Sequence, residues 1–231
     1  MGNFLIIGGS SGIGAELARR MSKNNRVFAT YHTNVRESNL ERLSYHSLNV
    51  LEDTLNLDFL PEQLDGLAYC PGSINLKPFH RLTAESFVDD YRLQVLGAIK
   101  TVQNVLPRLK QSSNAAIVFF STVAVQAGFA LHSQVSASKG ALEGLTRALA
   151  AELSPKIRVN AIAPSLTDTS LAAQLLNTPE KREANAQRHP LKRIGSSGEI
   201  ASLAAYLLQE NSGWITGQIF PVDGGLSVIR G

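Results

Sequence analysis

The feature that most constrains the fold is a glycine-rich turn near the start of the chain. The mostly apolar segment Asn3–Ile7 is typical of a buried strand, and Ile13–Lys23 has the pattern of a helix. Between them, residues 8–14 read Gly-Gly-Ser-Ser-Gly-Ile-Gly. Glycines there permit a tight turn and let backbone N–H groups approach a pyrophosphate, while the helix adds partial positive charge. The segment predicts a dinucleotide-binding turn, and the alternative is a glycine-rich turn without a ligand.

Strand-like and helix-like segments alternate along the rest of the chain. Further strands are predicted at Arg26–Tyr31, Ser44–Val50, Asp65–Tyr69, Ala115–Phe120, Arg158–Ile162 and Gln218–Val222. Helices are predicted at Arg36–Leu43, Thr83–Leu109 (ending near Pro107), Ser133–Leu153 and Ser197–Leu208. This alternation predicts an α/β fold, a doubly wound parallel sheet with helices on both faces. Because no linker, repeat or composition shift divides the chain, we expect one domain over residues 1–231.

The composition excludes several classes of protein. The 44% hydrophobic and 18% charged residues are incompatible with intrinsic disorder. The lone cysteine, Cys70, cannot form an internal disulfide. A net charge of +3 without a run of lysines or arginines predicts no nucleic-acid partner. Neither a targeting segment nor an apolar run of about 18 residues is visible, so we expect a cytoplasmic protein without a membrane partner.

The end of the second strand bears on the choice of dinucleotide. An Asp or Glu there accepts from the ribose 2′-hydroxyl of NAD, whereas an arginine accommodates the 2′-phosphate of NADP. The predicted strand ends at Tyr31 without a carboxylate, and Arg36 follows. The sequence therefore favours NADP over NAD, and the alternative is that Arg36 is a solvated surface charge. The pair Asn49 and Val50, after the third strand, is expected to hold the adenine ring.

Several segments together resemble the short-chain dehydrogenase/reductase family along nearly the whole chain. They are the glycine turn, Arg158–Ile162, and residues 164–169, 190–195, 199–201, 214–218 and 222–225. Residues 164–169 are similar to the family's P-G-x-x-x-T segment, with Ser165 in place of glycine. The resemblance implies seven parallel strands, a nicotinamide dinucleotide, a small-molecule substrate, a mobile lid over Leu171–His189, and a homodimer or homotetramer.

The resemblance also implies an Asn–Ser–Tyr–Lys catalytic set. In the family, Tyr exchanges the proton, Lys supports it and holds the ribose, Ser binds the substrate oxygen and Asn holds a relay water. Lys139 matches the lysine of the Y-x-x-x-K motif. Val135 stands at the tyrosine position, Thr122 at the serine position and Gln94 at the asparagine position. Valine has no titratable proton, so the general acid of the family is absent from this sequence.

Three routes remain open for the missing proton. The first is His132, whose side chain has a near-neutral reference pKa and lies in the loop before Lys139. The alternative interpretation of His132 is an ordinary loop histidine without a catalytic role. Ser133 and Ser136 offer hydroxyls nearby. Lys139 is a third candidate, acting directly or through water. A substrate with a conjugated C=C bond would need none of these three donors, because its negative charge is delocalised and water can protonate it.

These observations predict an atypical NADP(H)-dependent reductase of a carbonyl or activated C=C substrate. The alternative is an inactive dinucleotide-binding protein that acts as a partner subunit or sensor. The catalytic candidates are Lys139, Thr122, Gln94 and His132, and no metal site is predicted. The cofactor-binding candidates are Gly8, Ser10, Ser11, Gly12, Ile13, Gly14, Tyr31, Arg36, Asn49, Val50, Gly72, Lys139, Pro164 and Thr169.

Overall fold

A computed structural model describes residues 1–229 and confirms the doubly wound α/β fold. The strands are β1 (Asn3–Ile7), β2 (Arg26–Tyr31), β3 (Leu43–Ser47), β4 (Gly66–Tyr69), β5 (Ala115–Phe120), β6 (Ile157–Pro164), β7 (Thr167–Asp168), β8 (Gly195–Ser196) and β9 (Ile219–Val222). Seven of them form one parallel sheet in the order β3-β2-β1-β4-β5-β6-β9. The short strands β7 and β8 pair in parallel beside it.

The helices cover both faces of this sheet. They are α1 (Gly12–Met21), α2 (Ala84–Tyr91), α3 (Gly97–Leu109), α4 (Ala124–Ala127), α5 (Ser133–Leu153), α6 (Pro179–Gln187) and α7 (Ser197–Leu208). One apolar cluster joins the sheet to α3 and α5, and a second joins its other face to α1 and α7. Leu5 and Ile7 face the first cluster while Phe4 and Ile6 face the second, as strand alternation requires. The prediction that helices cover both faces of the sheet is therefore confirmed.

The order of the strands places a crevice between β1 and β4. The chain runs outward from β1 to β2 and β3, then returns to β4 on the other side of β1. In an open parallel sheet, ligands bind at the carboxyl ends of the strands beside such a reversal. The glycine turn follows β1, and Cys70 follows β4, at this same edge.

The predicted helix Arg36–Leu43 is wrong. Residues 35–39 have no regular structure, and β3 already begins at Leu43. The Ser38 hydroxyl accepts from the backbone N–H of Leu40 (3.0 Å), a local bond that competes with helix formation. Arg36 is drawn across to the glycine turn, where its guanidinium donates to the Ser10 carbonyl (2.8 Å).

The predicted helix Thr83–Leu109 is interrupted. Between α2 and α3 lies a π-helical turn, Arg92–Leu96, centred on Gln94. Pro107 does not end the helix, which continues to Leu109. Single π-helical turns inside α-helices occur frequently at functional sites, and this one turns Gln94 into the protein interior, where its side chain is fully buried. Within residues 1–229, no helix has both the length and the apolar composition needed to cross a bilayer.

Candidate active site

The glycine turn is held in a conformation that side chains would disturb. Gly8 and Gly12 have positive φ angles of 73° and 50°. A Cβ at Gly14 would overlap the Gly8 carbonyl, and one at Gly9 would lie 2.7 Å from the Ala29 side chain. Thr30 fixes the turn, because its hydroxyl accepts from the Gly8 N–H at 3.1 Å. The backbone is therefore open to a ligand along the turn.

A cavity of about 610 Å³ extends from this turn across the carboxyl ends of β1, β4, β5 and β6. It brings together most of the residues predicted from the sequence. These are Gly8, Ser10, Ser11, Gly12, Ile13, Gly14, Tyr31, Gly72, Gln94, Thr122, His132, Lys139, Pro164 and Thr169. Its lining contains lysine, arginine and histidine but, within residues 1–229, no Asp or Glu. Such a lining favours an anionic ligand.

Three predicted cofactor-binding residues lie outside this main cavity. Asn49 and Val50 line a smaller adjoining cavity of about 130 Å³, which shares Gly8 and Tyr31 with the main cavity. Arg36 lies at the outer edge of the glycine turn, bonded to Ser10 and placed over the Tyr45 ring at 5.9 Å. The smaller cavity and Arg36 are thus at the same end of the site, beside β2 and β3.

Lys139 is the central cation of the cavity. It lies on α5, is 8% exposed, and lines the cavity. A Cβ built on Gly72 would lie 3.6 Å from Lys139 Nζ and 3.5 Å from Gln94 Oε1, so both side chains converge there. Burial lowers the pKa of Lys139 to about 8, and the Asp90 carboxylate opposes that shift. A lysine in this setting can hold a hydroxyl group or exchange a proton near neutral pH.

Gln94 is fixed by a buried carboxylate. Its Nε2 donates to both oxygens of Asp90 (2.7 Å each), and the Ser73 hydroxyl donates to the same carboxylate. Gln94 Oε1 is buried without a hydrogen-bond partner among residues 1–229. An unpaired buried acceptor is costly, so this oxygen fits a donor supplied by a ligand or by water.

The remaining catalytic candidates occupy different parts of the wall. Val135 lies one turn before Lys139 on α5, is buried, and lines the cavity. Thr122 follows β5, and its hydroxyl accepts from the Ala124 N–H at 3.3 Å. His132 is half-buried, and its Nδ1 lies 2.8 Å from the Ala130 carbonyl. Ser136 does not line the cavity, since its hydroxyl donates to the Ala124 carbonyl at 3.2 Å.

The relatives of the chain decide its family. The family whose sequence model is described as enoyl-(acyl carrier protein) reductase matches residues 8–227. A tropinone reductase homolog of Arabidopsis thaliana is 32% identical over 98% of this chain and 93% of the relative. L-xylulose reductase of Bos taurus is 30% identical over 96% of this chain and 94% of its own. The chain is a short-chain dehydrogenase/reductase.

Solved structures of this family match its fold closely. A short-chain type dehydrogenase/reductase from Mycobacterium ulcerans superposes with a TM-score of 0.90 at 25% identity, covering 99% of this chain and 90% of that one. ElxO with NADP bound gives a TM-score of 0.89 at 25% identity, with 98% and 99% covered. The chain therefore belongs to a family of oxidoreductases that use NAD(P).

The site of this short-chain dehydrogenase/reductase fits such a cofactor. A Cβ at Gly14 would overlap the Gly8 carbonyl and one at Gly12 would lie 3.3 Å from the Thr169 side chain, so the close turn needs glycine at both positions. The unpaired oxygen of Gln94 and the ammonium of Lys139 offer an acceptor and a donor beside Gly72 in the same cavity. When bound, a nicotinamide dinucleotide supplies or accepts a hydride.

Sequence reasoning missed several polar residues of this short-chain dehydrogenase/reductase. Asp90 stands four residues before Gln94, so helical spacing was a usable signal for that pair. His189 lines the cavity, and its imidazole lies 2.9 Å from the Ser165 hydroxyl. Arg188 also lines it and lies over the Phe129 ring at 5.6 Å. These last contacts join segments distant in sequence, and only the Ser165 substitution hinted at them.

Proposed function

We propose that the protein is an NADP(H)-dependent reductase that delivers hydride to a carbonyl or activated C=C substrate. The observation that carries this proposal is the convergence of Lys139 Nζ and the unpaired Gln94 Oε1 on Gly72, in one cavity with the glycine turn. The glycine turn would hold the pyrophosphate, and Lys139 with Gln94 would hold the nicotinamide ribose. Thr122 would hydrogen-bond the substrate oxygen, since its hydroxyl both donates and accepts.

The preference for NADP rests on Arg36. Its guanidinium lies at the outer edge of the glycine turn, next to the cavity lined by Asn49 and Val50. If that cavity held the adenine ring, Arg36 would be the nearby cation available to bind the ribose 2′-phosphate. Neither cavity is lined by an Asp or Glu, among residues 1–229, that would bind the 2′-hydroxyl of NAD instead.

Arg36→Ala is expected to weaken NADPH binding by about 10- to 100-fold, the value of a hydrogen bond to a charged group. Affinity for NADH should stay the same, because NADH lacks the 2′-phosphate. Titration calorimetry with both cofactors measures the difference. Arg42→Ala is the control, since Arg42 is an exposed arginine at the amino end of β3, away from the glycine turn, where it donates to the Lys23 carbonyl. Equal losses for NADPH and NADH would show that Arg36 supports the turn rather than the phosphate.

A second function is favoured by one residue. Val135 lines the cavity one turn before Lys139, where a proton donor would be expected. A protein that kept the cofactor site and lost the chemistry would bind NADPH as a sensor or as a partner subunit. This alternative predicts binding without turnover.

NADPH oxidation, followed by absorbance against ketones, quinones and enones, separates the two functions. The reductase predicts substrate-dependent NADPH consumption that Thr122→Ala reduces, because the substrate oxygen loses its hydrogen bond. Tight NADPH binding with no consumption for any substrate would support the sensor or partner subunit. Absence of binding to both NADPH and NADH would contradict both functions.

A further inference from the structure

We propose that Ser165 donates the proton to the substrate and that His189 resupplies it, in place of the side chain missing at Val135. This inference rests on the proposed reductase function. Ser165 and His189 both line the cavity, and the Ser165 hydroxyl lies 2.9 Å from His189 Nε2. They form a hydroxyl–imidazole pair of the kind that activates a hydroxyl for proton exchange.

The position of Ser165 in the sheet brings it to the substrate end of the site. Ser165 follows the last residue of β6, and Thr122 follows the neighbouring strand β5. The N–H of Val123 donates to the Pro164 carbonyl at 3.2 Å, which ties the two strand ends together. The hydroxyls of Thr122 and Ser165 therefore belong to adjacent strand ends in the wall of the same cavity.

The backbone around His189 fixes which nitrogen faces Ser165. His189 is 3% exposed, and its Nδ1 lies 2.9 Å from the Asn185 carbonyl. A carbonyl only accepts, so Nδ1 carries a hydrogen and Nε2 is the nitrogen that exchanges with Ser165. In the neutral ring Ser165 donates to Nε2. In the protonated ring Nε2–H donates to Ser165, whose own hydrogen is then free for the substrate.

The segment that carries Asp223 packs against His189, since a Cβ at Gly224 would lie 3.5 Å from the His189 side chain. Asp223 accepts from the backbone N–H groups of Gly225 (2.9 Å) and Ser227 (2.8 Å). Burial raises the pKa of Asp223, but the hydrogen bonds from Ser227 and Gly225, together with His189, outweigh that effect. The pKa is therefore lowered overall, and the carboxyl is ionised near neutral pH. The guanidinium of Arg188, the residue before His189, lies over the Phe129 ring at 5.6 Å.

The Ser165 proton would neutralise the charge that reduction leaves on the substrate oxygen. If the substrate carbon received hydride from a bound nicotinamide cofactor, the C=O electron pair would move to oxygen. The Ser165 O–H bond breaks and its proton joins that oxygen, giving the alcohol. Ser165 takes a proton from His189 Nε2, while Nδ1–H stays bonded to Asn185. A proton from bulk solvent would then return to Nε2, so one NADPH and one solvent proton would be consumed for each substrate reduced.

Kinetics of three variants test the pair. Ser165→Ala and His189→Gln should each lower kcat about 100-fold, the lower range for general acid catalysis, and leave NADPH affinity unchanged. The double variant should lose no more than either single one, because the two residues act as a unit. Ser113→Ala and His80→Gln are controls at exposed positions outside the cavity lining. Wild-type turnover in Ser165→Ala, or losses that multiply in the double variant, would overturn the proposal.

A measurement without cofactor or turnover checks the same pair. In ¹⁵N NMR of the cofactor-free protein, His189 should carry its hydrogen on Nδ1, and Ser165→Ala should move the Nε2 resonance but not those of His80. An Nε2 resonance that ignores Ser165→Ala would overturn the pair even in an active reductase. A wild-type protein that binds NADPH and reduces no substrate would instead overturn the reductase function, and this proton donor with it.

Discussion

Lys139→Met is expected to abolish turnover and, at the same time, to make the protein harder to unfold at neutral pH. The loss of activity should be about 10²- to 10³-fold in kcat/KM, because the variant lacks the buried cation that we propose holds the nicotinamide ribose. Methionine has a similar length and keeps the apolar contacts of the side-chain stem. Functional residues often lower the stability of the folded protein, and we expect Lys139 to be one of them.

The gain in stability follows from the pKa of Lys139. Burial lowers it from 10.5 to about 8 in the folded protein, so between these values the unfolded chain binds more protons than the folded one. Stability of the wild type therefore rises with pH across this window, and the full penalty is present below pH 8. At pH 7 the variant should be more stable by up to about 3 kcal/mol.

Denaturant unfolding at several pH values measures this gain. The difference between variant and wild type should shrink as the pH rises from 8 towards 10.5. Lys110→Met, at an exposed lysine after α3, is the control and should leave both stability and activity unchanged. A Lys139→Met protein that is less stable at pH 7, or one that keeps wild-type activity, would contradict the role given to Lys139.

Gly14→Ala is expected to remove cofactor binding. The added Cβ would overlap the Gly8 carbonyl oxygen and lie 3.1 Å from the Gly8 carbonyl carbon and 3.2 Å from Gly9 Cα. These are backbone atoms that cannot rotate aside, so the turn must open. We expect NADPH affinity to fall by at least about 100-fold and stability by about 2 kcal/mol, the cost of overpacking.

Gly198→Ala is the matched control for this change. Gly198 lies in the first turn of α7, and the nearest atoms to an added Cβ are 3.9 Å away. Alanine there should keep full NADPH affinity and add up to about 1 kcal/mol of stability through helix propensity. Fluorescence titration of NADPH and denaturant unfolding measure both variants. Undiminished affinity in Gly14→Ala would show that the cofactor does not sit on this turn.

The parts of the fold that could be predicted from the sequence depend on local patterns. Strand β5 is an apolar run that is buried along its whole length, and the glycine turn carries its own spacing. The helix predicted at Arg36–Leu43 failed because the Ser38 side chain and the contact of Arg36 with Ser10 outweigh a weak helical pattern. Propensity is a weak prior where tertiary contacts compete.

The candidate site was predictable only in part. Lys139 and Thr122 could be placed by motif spacing, and the cavity brings them together. The pair of Ser165 and His189 could not be found this way, because 24 residues separate them and the intervening segment must fold back to bring them together. The π-helical turn that buries Gln94 leaves no clear signal in the sequence either.

Transfer of deuterium from NADPH labelled at nicotinamide C4 is the decisive test of the proposed hydride transfer. The cofactor labelled on each face in turn would be incubated with the protein and whichever carbonyl or enone substrate supports the fastest oxidation. A reductase predicts product that carries one deuterium at the reduced carbon from one of the two labelled cofactors, detected by mass spectrometry. Labelled NADPH that binds tightly and is recovered intact, with no deuterated product from any substrate, would contradict the proposed reductase function.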